Sequence, residues 1–91
     1  MHKTDEKESC EYNFQKSNPE MLLKLFDMHE VESQRLLNET LLLPAYENML
    51  KISHIFNLLD ARGVISTNER ASYIERVRKL AIACAKIYME R

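Results

Sequence analysis

Turn-forming residues are the scarcest thing in this sequence: one glycine and two prolines in 91 residues. Strand-rich domains spend glycine and proline freely at their many reversals, so the scarcity predicts long helices joined by few turns. Two of the three sit where helices start, and the third where one ends. Asn18-Pro19-Glu20 places a capping amide, a proline suited to the first helical position and an acid at the positive end of the helix dipole. Pro44 has the same first-turn character. Gly63 suits a helix end that needs positive φ, and Ser66-Thr67-Asn68-Glu69 follows it as a capping box. The punctuation predicts helices over about 19–38, 44–62 and 67–90, behind a polar, irregular lead-in at 1–17. Both connections are short, so neighbouring helices should run antiparallel. The fold class expected is all-α, an antiparallel three-helix bundle in one domain, residues 18–91.

The periodicity agrees. At about 100° per residue, Leu22, Leu25, Phe26, His29, Ser33, Leu36 and Leu37 share one side of the first helix. In the second, Ala45, Met49, Ile52, Phe56 and Leu59 form the main stripe, widened by Ile55, with Tyr46, Leu50, Leu58 and Ala61 off it. A helix apolar beyond one stripe is covered on more than one side, so this one is central or meets another chain. In the third, Tyr73, Ile74, Val77, Leu80, Ala81, Cys84, Ile87 and Tyr88 form an unbroken apolar arc, the strongest periodic signal in the chain.

Hydrophobic residues are 45% of the chain, enough for a core, although a chain this short buries a modest share of its surface. Stability of roughly 5 kcal/mol is expected. The net charge of −1, from 13 basic and 14 acidic side chains, argues against a protein built chiefly to hold nucleic acid. No apolar run approaches the roughly 20 residues of a membrane span, and the stretch 1–11 has no signal-peptide core. With only Cys10 and Cys84, reduced thiols and a soluble, cytoplasmic protein are the expectation.

Candidate chemistry is thin. His29-Glu30 begins like a zinc-protease motif, but the second histidine would stand at 33, which is Ser33. His29 is therefore read as a packed histidine bonded to a neighbour. Histidines and cysteines never approach metal-ligand spacing, a lone glycine builds no phosphate-cradling loop, and Cys84 lies among alanines as a small core residue. No catalytic, cofactor or metal residue is assigned. Two features remain. Arg76, Arg78, Lys79 and Lys86, with Ile82 among them, form a basic face on the third helix: a solvated surface, or a contact for RNA phosphate or an acidic partner. Asn57, Asp60 and Arg62 crowd the end of the second helix. An acid is mildly unfavourable there, so Asp60 should have a partner, Arg62 or Arg70. Ser66 and Glu69 are the helix cap.

These residues also carry a resemblance. Leu43-Pro44-Ala45-Tyr46-Glu47, then Phe56-Asn57-Leu58-Leu59-Asp60-Ala61-Arg62, then Ile65-Ser66, Glu69-Arg70 and Tyr73-Ile74 resemble the C-terminal part of the bacterial glycyl-tRNA synthetase alpha subunit. Tyr12-Asn13-Phe14 is similar to the segment leading into it, and the likeness runs from about Glu11 to Tyr88. It implies a parent enzyme of two alpha and two beta subunits that activates glycine with ATP, with magnesium, and transfers it to tRNA. It also implies that the ATP and glycine motifs of the class II catalytic fold precede the matched region. This chain is then expected to be an inactive helical piece serving assembly or positioning. Its implied partners are the beta subunit, the second alpha subunit and possible tRNA contacts. The alternative is a stand-alone helical interaction module.

Overall fold

The computed structural model describes residues 18–91, so the expected lead-in, with Cys10, Tyr12 and Phe14, lies outside the described residues. Three helices follow: α1 (Pro19–Asn38), α2 (Leu42–Ala61) and α3 (Thr67–Glu90). No strand occurs among the described residues.

Helix α1 begins as its cap predicts: Asn18 Oδ1 accepts from the Met21 amide at 3.2 Å, with Pro19 in the first turn. It ends at Asn38, as expected. The Leu41 amide donates to the Leu36 carbonyl at 2.9 Å and the Thr40 amide to Leu37 at 3.0 Å. This Schellman closure puts Thr40 at φ 59°, a left-handed position for a β-branched residue. The chain re-enters a helix at once, so α2 starts at Leu42, two residues before the expected Pro44. The reason is that no amide of a first helical turn has an intrahelical acceptor, so proline is tolerated at its third position as well as its first. At the other end α2 stops at Ala61 rather than Arg62, which is the C-cap.

Gly63 ends α2 by the same motif, at φ 70°, with its amide donating to Asp60 at 3.0 Å and the Val64 amide to Leu59 at 3.4 Å. A Cβ there would meet nothing within 4 Å, so Gly63→Ala isolates the backbone cost. Thr40→Gly is the converse. Alanine at 63 should cost about 1 kcal/mol and glycine at 40 should gain a similar amount. Urea midpoints of the two variants check both; shifts of the same sign would contradict the left-handed assignments.

The capping box of α3 is complete. The Glu69 amide donates to Ser66 Oγ at 3.2 Å, and the Ser66 amide donates to Glu69 Oε1 at 3.1 Å. That backbone donor holds the Glu69 carboxyl below the usual carboxylate range. A depressed folded pKa means the stabilisation is present above the unfolded carboxyl's pKa of about 4.3 and is lost as pH falls through the folded one. Ser66→Ala should cost about 1 kcal/mol. A loss under a few tenths in thermal melts would show that the box adds nothing.

Helix α2 is the central element, packed along its length on α1 and over less of it on α3. Ser33 Oγ donates to the Ala45 carbonyl at 2.9 Å, and His29 Nδ1 lies 2.8 Å from Asn48 Oδ1. The pairs 33–45 and 29–48 close towards the connecting turn, so α1 and α2 are antiparallel. Asn48 also donates to the Pro44 carbonyl at 2.9 Å, which leaves its Oδ1 to accept and makes His29 Nδ1 the donor. His29 is thus the packed, bonded histidine expected.

The core holds Leu22, Phe26, Leu36 and Leu37 from α1 and Ala45, Met49, Ile52, Ile55 and Leu59 from α2. Leu58, expected off the main stripe, is buried with them, because a helix packed on two neighbours buries more than one row. Phe56 is only half-buried. The larger departure is in α3. Its strong periodicity promised a fully covered arc, yet only Leu80 and Cys84 are buried, and Ile74 and Tyr88 are exposed.

Candidate interaction surface

The uncovered part of α3 has a definite position. Helical spacing puts Ile74, Arg78, Ala81, Ala85 and Tyr88 on one row, displaced from the core-facing row of half-buried Tyr73 and Val77 and buried Leu80 and Cys84. Between this outer row and the first turns of α2 lies an open apolar groove of about 890 Å³. Leu42, Leu43, Tyr46 and Met49 form the α2 wall, and Ala81, Cys84, Ala85, Tyr88 and Met89 the α3 wall, with Arg91 at the end. Its rim projects into solvent: Leu43 is 66% exposed, Tyr88 71% and Met89 80%. Contiguous apolar surface rimmed by charge marks an interaction site more often than scattered exposed leucines do.

Local sequence explains the shape. Alanine at 81 and 85 leaves a hollow where a leucine would close onto α2, and the large Tyr88 and Met89 stand beyond it. The Schellman turn at Thr40 fixes the far end, where Arg91 donates to the Thr40 carbonyl at 2.9 Å. Cys84 lies buried in the α3 wall, and burial pushes its thiol pKa up, so the sulfur is a packed neutral group rather than a nucleophile.

The basic face divides in two. Arg78, Lys79 and Lys86 are exposed and make no hydrogen bond or ion pair among the described residues. Ile82 stands exposed between Lys79 and Lys86. Arg76 does not belong with them. Its side chain is 33% exposed and bridges back to α1, with Nε 2.9 Å from Glu30 Oε2 and Nη2 2.7 Å from Asp27 Oδ1. The guanidinium carbon lies 4.7 Å from the Phe26 ring centre and 5.2 Å from that of Tyr73. The hydrogen bond to Glu30, then that to Asp27, raises the Arg76 pKa against the opposing effect of burial. The expectation of an exposed contact residue is corrected: Arg76 is the tie between α1 and α3. Its partners lie 46 and 49 residues away, so no local pattern could name them.

The second cluster is a turn brace. Arg70 Nη2 lies 3.3 Å from Asp60 Oδ2, which supplies the partner Asp60 was expected to have. Arg62 is half-buried at the α2 C-cap, and Asn57 is exposed one helical turn earlier. These three are not brought together with Arg78, Lys79 and Lys86. The groove itself was missed, although its signal was present: positions 74, 78, 81, 85 and 88 form a second seven-residue pattern within the apolar arc.

Among the described residues no three histidine, cysteine, aspartate or glutamate side chains come together as a metal site. The exposed basic residues stand along an apolar row, not around a phosphate-sized cleft. The described residues therefore do not fit ATP or magnesium, and no step through either is derived from them. No described helix is long and apolar enough to cross a membrane. The surface can bury apolar area and pair carboxylates. Compared with known protein families, residues 1–91 match the family model described as glycyl-tRNA synthetase alpha subunit.

Proposed function

Because the chain belongs to the glycyl-tRNA synthetase alpha subunit family, a subunit of a glycine–tRNA ligase, we propose that these residues serve assembly of that enzyme and take no part in its chemistry. The observation that carries the reading is the open α2–α3 groove. Leaving Leu43, Tyr88 and Met89 in water forgoes roughly 25 cal/mol per Å² of apolar surface, which a partner recovers by covering them. Nothing in α1, α2 or α3 offers an arrangement of nucleophile, base or phosphate-binding loop. In this reading glycine activation with ATP and magnesium belongs to a part of the subunit outside this chain, and the contacts made here hold that part in place within the cytoplasmic enzyme.

The chemical half of the proposal has a direct check. The isolated chain, supplied with glycine and ATP, should give no pyrophosphate exchange above buffer, and measurable exchange would place an active site within it. The surface half is checked by reversing Arg78 and Lys79 together to glutamate in the alpha subunit. The helical fold should be unchanged by circular dichroism, since both side chains are exposed and make no hydrogen bond or ion pair among the described residues. Binding to the beta subunit should weaken, and unchanged binding would return these two residues to an ordinary solvated face.

A further inference from the structure

We draw no further inference here: the strongest candidate, the open apolar groove between the first turns of α2 and the end of α3, is an unpartnered face, and nothing in the structure shows what covers it.

Discussion

Phe26→Ala should unfold this domain at room temperature. Phe26 is fully buried, and it meets the edge of Tyr73 with ring centres 5.0 Å apart and the planes at 89°. It is the one large α1 side chain that touches α3 through both an aromatic contact and the Arg76 stack. Removing a buried phenylalanine costs about 3–5 kcal/mol, the lost transfer energy plus the cavity left behind. A small domain has roughly that much stability in total. No reserve exists elsewhere, because α3 contributes only Leu80 and Cys84 to the fully buried set. Circular dichroism should show most of the helical signal gone in buffer, while Val31→Ala, at an exposed α1 position, should melt within about 0.5 kcal/mol of the parent. A Phe26→Ala variant with a melting curve close to the parent's would mean that α1 and α3 are held by something other than this contact.

The second large effect is expected at Arg76. Hydrogen bonds to charged groups contribute about 1.5–3 kcal/mol each when well shielded, and partial exposure reduces that through solvent screening. With two carboxylates and two rings around one guanidinium, Arg76→Ala should cost about 2 kcal/mol. That is a fall of roughly 10 °C in melting temperature for a domain of this size. Arg76→Glu should cost more, since it sets three carboxylates together. Arg76→Lys should recover only part, because lysine lacks the planar fork that meets Glu30 at both nitrogens and stacks on Phe26. The distinguishing readout is amide exchange. Loss of the tie should raise exchange along α3 before α2, whose contacts with α1 are intact. Uniform acceleration would mean the three helices open only as one unit, and no change would show that the ion cluster adds nothing to stability.

Legibility in the sequence followed the range of the interactions. Asn18, Gly63, Ser66 and Glu69 act on amides within four residues of themselves, so the start of α1, the turn at Gly63 and the start of α3 could be read directly. Thr40 adopts its left-handed conformation without the glycine that would announce it, and the early start of α2 followed from that. Periodicity told which side of α3 is apolar but not how much of that side is covered. Coverage depends on where α1 crosses, a property of the packed molecule. Arg76 shows the same limit: beside Arg78 and Lys79 it reads as one more solvated cation, and only the folded chain brings Asp27, Glu30 and Phe26 to it. The family resemblance rested on the strings around both α2 termini, and the match over residues 1–91 agrees with it.

The most direct test of the central claim, that this helical piece belongs to the assembly of its enzyme, is competition. The purified 91-residue chain is titrated into separated alpha and beta subunits, and the assembled fraction is measured by size-exclusion chromatography. Assembly should fall as the chain is added, and the Ala85→Glu chain, with its groove blocked by a charge, should have no effect at the same concentrations. Full assembly at a large excess of the parent chain, or equal inhibition by both chains, would contradict the account.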